Sequence, residues 1–185
     1  MQITTQRLTL REFRRDDWYS LYLLESDPLA VKYQSYAPHT EDDSRAYLEK
    51  NMIALAEHPR RLFELAVLLR GVDLLVGRCG FEIQAEGTEA AIWYILRRDY
   101  WRQGLMREAL TQLISFAFDL TGVHRIWADT DPRNVRSVNL LRHLGFSKES
   151  HFQRNVLIKG EWCDTLIFSI LKENWIETVG SSGRA

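Results

Sequence analysis

The chain has 185 residues, 45% hydrophobic and 26% charged, the make-up of one ordinary globular domain long enough to bury a sizeable core. A formal net charge of -1 supplies no global electrostatic reason for nucleic acid or an anionic membrane as a partner. Cys79 and Cys163 are too few for a disulfide framework and lack metal-ligand spacing, so no metal site is expected.

Each cysteine sits in an apolar, strand-like stretch, where a free thiol acts as a small hydrophobe. With no charged-then-apolar leader in "MQITTQRLTL" and no apolar run of spanning length, the reading is a cytoplasmic protein. Of the 24 basic residues 19 are Arg, so a local anion site would be built from Arg.

In chain order, "RLTLREF" (7–13) alternates apolar and polar residues and predicts a strand. Asp16 or Asp17 can cap a helix through about Glu25. Thr40, followed by three acids, opens a second helix that Pro59 ends, with Ala46, Tyr47, Met52, Ile53, Leu55 and Ala56 as its apolar stripe. Three strands follow at 62–70, 74–84 and 89–97, joined by hairpin-length links. A helix over 104–121 has Leu105, Ala109, Leu113 and Phe116 on one face, and Gly122 closes it. A strand at 124–130, a short helix at 134–144 stopped by Gly145, and a hairpin around Lys159–Gly160 complete the order β-α-α-β-β-β-α-β-α-β-β. This is an α/β layered fold with a mostly antiparallel sheet. Residues 1–176 read as one domain and 177–185, with the small polar "VGSSGRA", as a flexible tail.

Chemistry concentrates at the start of the long helix. Its first turn leaves backbone N–H groups without partners and carries a positive dipole end, together an anion site. Gly104 stands there with Arg102, Gln103 and Arg107 around it. The plainer reading is a turn eased by glycine and flanked by solvated arginines, and spacing alone does not choose between them. A P-loop is not supported, because no Lys-Ser/Thr follows the glycine.

With "YWRQGLM" before the long helix and "NVRSVNLLRHLGF" (134–146) after it, the chain resembles the GNAT superfamily of acyl-coenzyme A-dependent N-acetyltransferases. "TTQRLTLREFRRDDW" and "GEWCDTLIFSILKENW" resemble the opening and closing segments of its ribosomal-protein N-terminal acetyltransferase branch. The family's first phosphate-motif position, Gln or Arg, is Trp101 here, and its last, Gly or Ala, is Met106. Ala91 stands where such proteins often carry a carboxylate, so no general base is carried over there.

The resemblance implies a mixed, mostly antiparallel twisted sheet with helices on both faces. It implies acetyl-CoA as acyl donor and an amine acceptor, while charge, apolar run length and His/Cys spacing give no reason to expect DNA, membrane or metal. The acceptor is a protein N-terminus or, alternatively, a small molecule such as an antibiotic or polyamine, and a homodimer stays open. Backbone groups of Arg102, Gln103, Gly104, Leu105, Met106 and Arg107 would hold the pyrophosphate. Ile95 and Leu96, where the strand at 89–97 leaves its neighbour, would border the pantetheine, with Trp93 on the acceptor side. Asn134, otherwise a helix cap, would also lie along the pantetheine. Ser137 is the candidate proton donor to the sulfur, and Tyr94 is the other catalytic candidate. Glu82, Asp129 and Asp164 are candidate bases, and a water chain could serve instead. From other classes, a non-catalytic acyl-coenzyme A-binding module or a protein binding a different phosphorylated ligand remains open.

Overall fold

In the computed structural model, which describes residues 1–84, 86–120 and 122–182, with side chains of the last helix through Thr178, the chain begins one strand earlier than the sequence predicts. β1 (Gln2–Thr4) precedes β2 (Leu8–Glu12) and pairs antiparallel with it, Ile3 opposite Leu10. There follow α1 (Trp18–Glu25), α2 (Glu41–Ala54), β3 (Leu62–Leu69), β4 (Leu74–Ile83), β5 (Glu89–Leu96) and α3 (Leu105–Leu120). β6 (Arg125–Thr130), α4 (Val135–His143), β7 (Ser147–Ile158), β8 (Glu161–Leu171) and α5 (Lys172–Ser182) complete the order. The strands form one sheet in the order β1-β2-β3-β4-β5-β6-β8-β7. It is mostly antiparallel, with β5 and β6 parallel. The chain divides into two compact units, residues 1–82 with 93–113 and residues 83–92 with 114 onward.

In the first unit β2, β3 and β4 are antiparallel neighbours, and Gly71 and Asp73, both at positive φ, turn the chain between β3 and β4. Phe13, Leu21, Leu24, Val31, Leu48, Ala66, Leu68, Leu75 and Ile95 form a core cluster. Thr40 caps α2 as its sequence predicts, accepting from Asp43 N–H at 3.2 Å while the Asp43 carboxylate accepts from Thr40 N–H at 2.8 Å. Two expectations are corrected. Asp17 makes no side-chain cap on α1; it turns to Arg11 instead, accepting from Nη1 at 2.7 Å and Nη2 at 2.9 Å. The buried side of α2 is Ser44, Leu48, Asn51 and Ala54, while Ile53 is 64% exposed. Two small polar residues on the inner face displaced the stripe read from apolar residues alone; Asn51 satisfies its amide on Tyr47 O at 2.9 Å.

In the second unit β8 lies antiparallel between β6 and β7, and the β7–β8 turn uses Lys159 and Gly160 at positive φ. Ile126, Ala128, Phe168 and Ile170 are buried here. The final helix was not expected from sequence. It runs past residue 176, held by Trp175, whose Nε1 donates to Ser115 Oγ at 3.0 Å, and by Lys172, whose Nζ donates to Phe118 O at 2.6 Å. The long helix ends at Leu120; residue 121, expected to extend it, lies outside the described residues.

Candidate active site

In the first unit, β5 leads through a short 3₁₀ turn, Arg98–Tyr100, into α3. Side chains pin this connection to its own backbone. Trp101 Nε1 donates to Leu96 O at 2.8 Å, and Gln103 Nε2 donates to Asp99 O at 3.0 Å. Trp101 thus works as a staple for the loop. Arg102 and Gly104 flank Gln103 at φ of 63° and 73°. A left-handed residue other than glycine costs about 1–2 kcal/mol, so the conformation at Arg102 is enforced by its surroundings. Successive N–H groups in such a turn form an anion-binding concavity.

A Cβ built on Gly104 would meet only Arg7 Nη2, at 3.6 Å. Protein crowding therefore does not demand glycine there; the positive φ does, and the space it leaves is open. Arg102, Gln103 and Arg107 are exposed, whereas Leu105, Met106, Ile95 and Leu96 are buried and offer a ligand only their backbone. Tyr94 is half-buried. The first-turn N–H groups of α3 lie just beyond the two left-handed residues, and the dipole of a helix of this length adds about half a positive charge. This arrangement fits a phosphate group.

In the second unit, the β5–β6 pairing runs from Glu89 with Arg125 to Ala91 with Trp127, and β5 continues to Leu96. Asn134 sits at the start of α4 and its Oδ1 accepts from Ser137 N–H at 3.3 Å, the capping geometry. Both residues are half-buried. Asp164 accepts from His151 Nε2 at 2.7 Å and from Arg154 N–H at 3.0 Å, where Arg154, at φ 46°, forms an irregularity in β7. Those bonds, the Arg154 N–H foremost, hold its carboxyl below the ordinary range, which weakens it as a base. Glu82 and Asp129 are exposed.

Two groups of the first unit escaped the sequence reading. Glu64 is buried under a polar network. Arg78 Nη1 reaches its Oε1 at 3.2 Å, Trp93 Nε1 donates to its Oε2, and Arg78 Nε also donates to the fully buried Glu25 at 2.7 Å. Burial pushes the Glu64 carboxyl up, and Arg78 opposes that. The other group is Arg7, beside Gly104. Its only signal was a place in the "TTQRLTL" segment, read there as a family signature.

Residues 7–147 match the acetyltransferase (GNAT) domain family, and the chain belongs to it. It is accordingly an acetyl-CoA-dependent N-acetyltransferase, and acetyl-CoA is the acyl donor. The uncharacterized N-acetyltransferase YnaD of Bacillus subtilis is 31% identical over 175 residues, covering 95% of this chain and 99% of that protein. The [ribosomal protein uS5]-alanine N-acetyltransferase of Escherichia coli is 33% identical over 103 residues, 55% of this chain and 53% of that one. Among solved structures, a GNAT-family acetyltransferase from Bacillus anthracis aligns with a TM-score of 0.85 at 28% identity, covering 94% of this chain and 99% of that one. Among the described residues no helix is long and apolar enough to cross a membrane.

Proposed function

We propose that the acceptor is a protein N-terminal α-amine, and that acetyl-CoA is held with its pyrophosphate on the backbone of Arg102 to Arg107. The pair of left-handed residues at the mouth of α3, Arg102 and Gly104, is the observation that carries the cofactor half of this reading. The acceptor half is supported by the stretch shared with the uS5-alanine enzyme and by the opening and closing segments that resemble its branch.

When bound, acetyl-CoA supplies an acetyl group activated as a thioester. The chain's part is to position that group, admit a neutral amine and supply a proton as the sulfur departs. In this reading Asn134, Ile95 and Leu96 border the pantetheine, and the Ser137 hydroxyl gives its proton to the sulfur. As the acetyl group passed from sulfur to nitrogen, the amine would give up one proton to a base, and that proton would restore the Ser137 hydroxyl. In the same reading Tyr94, within β5, is the second catalytic candidate.

A panel of acceptors tests the proposal. Peptides with free N-termini, the same peptides blocked at the N-terminus but carrying lysine, a polyamine and an aminoglycoside are each incubated with acetyl-CoA and enzyme. Acetylation located by fragmentation at the α-amine supports the reading. Turnover of the polyamine or aminoglycoside with inert peptides overturns it in favour of a small-molecule acceptor.

A further inference from the structure

We infer that Arg7, in the turn between β1 and β2, is the side-chain cation that completes the phosphate loop of α3. The inference rests on the cofactor reading above. Arg7 is 101 residues away in sequence from Glu108, yet the fold joins the two directly. Glu108 Oε1 accepts from Thr5 Oγ1 at 2.6 Å and from Arg7 N–H at 2.8 Å, and its Oε2 accepts from Arg7 Nε at 2.6 Å. Arg7 Nη1 donates to Gln103 O at 2.9 Å, within the loop itself. Nη2 has no protein partner among the described residues and stands on the open side of Gly104.

Geometry and charge point the same way. Two of the three guanidinium nitrogens are committed, so the third is held in place with little rotamer freedom left to lose on binding. Glu108, in the first turn of α3, suits the helix dipole but would repel a phosphate arriving at the same end. Arg7 matches that charge and leaves one N–H edge for the anion. Arg102 and Arg107, which the sequence brings to notice first, are exposed, and among the described residues neither side chain is fixed in this way.

The test is calorimetric binding of CoA and of dephospho-CoA, which retains the pyrophosphate and lacks the ribose phosphate, to wild type, Arg7→Gln and Glu108→Gln. A hydrogen bond to a charged group is worth enough to change affinity by about 10–100-fold. Arg7→Gln should therefore lose that much for both ligands, with a shallower salt dependence, while Glu108→Gln should bind both at least as tightly as wild type. Equal affinity of wild type and Arg7→Gln would overturn the inference. A loss confined to CoA would place Arg7 on the ribose phosphate and overturn it too. Parallel losses in both variants would make the cluster merely structural and would equally overturn it. Failure of the wild type itself to bind CoA would instead strike the cofactor reading.

Discussion

The side-chain oxygen of Asn134 accepts the backbone N–H of Ser137, so the two residues proposed for different steps of the reaction share one hydrogen bond at the start of α4. Their substitutions should nevertheless separate. Ser137→Ala leaves that backbone bond intact and removes the proposed proton donor, needed only as the sulfur leaves, which should lower kcat rather than raise KM. Proton donation is worth about 10²–10⁴-fold, and a loss of about a hundredfold in kcat with near-normal acetyl-CoA affinity is expected. Asn134→Ala should cost about 1 kcal/mol of stability through the lost cap and also weaken CoA binding. Steady-state kinetics with urea unfolding of both variants checks the split; a Ser137→Ala enzyme turning over at the wild-type rate would make that hydroxyl a spectator.

Arg78 gives a prediction about stability. It is 5% exposed, reaches Glu25 and Glu64, donates from Nη2 to Tyr36 Oη at 3.0 Å and lies over the Tyr47 ring. Removing one partner of a buried ion pair costs about 3–5 kcal/mol, because the remaining charge stays buried. Arg78→Met should destabilise by that amount in denaturant unfolding. A combined Arg78→Met, Glu64→Gln variant should recover part of the loss, and a change below about 1 kcal/mol in the single variant would contradict a buried network under load.

Glu108 predicts a pH dependence. Burial raises its carboxyl, but the hydrogen bonds from Thr5 Oγ1 and Arg7 N–H, with the Arg7 guanidinium, outweigh burial and hold it below its ordinary value. The native state then binds fewer protons than the unfolded state between the two values. The stabilisation is therefore complete above the unfolded value, about pH 4.3, and is lost as pH falls through the lower folded one. Glu108→Gln should be less stable than wild type by about 1–2 kcal/mol at pH 7, and the gap should close as pH drops below about 4. A gap constant from pH 7 to 3 would show that the carboxylate charge contributes nothing.

Much of the framework was legible in the sequence because its signals are local. The capping box at Thr40, the glycines beginning α3 and ending α4, and the alternation in β2 each declare themselves within a few residues. β1 did not, being three residues long and stabilised by its register against β2. α5 starts directly at the end of β8 without a connecting loop, and its apolar anchor, Trp175, reads equally well as the end of a strand segment. The apolar residues of α2 point to the wrong phase because Ser44 and Asn51 are buried, which no apolar count detects. Gly104 and Asn134, proposed for cofactor binding, stand out by position in the sequence, whereas Arg7 and Glu64 act through long-range partners, Glu108 and Arg78, that only folding brings near.

The most direct measurement is titration of CoA into wild type and Gly104→Val by calorimetry, with thermal unfolding of both recorded alongside. At φ 73° a β-branched residue is strained, and its side chain would fill the open space of the phosphate loop without meeting backbone. The expected result is a folded Gly104→Val protein, weakened by about 1–2 kcal/mol, that no longer binds CoA measurably while wild type does. Wild-type CoA affinity in a folded Gly104→Val protein would contradict the claim that the mouth of α3 holds the cofactor's pyrophosphate.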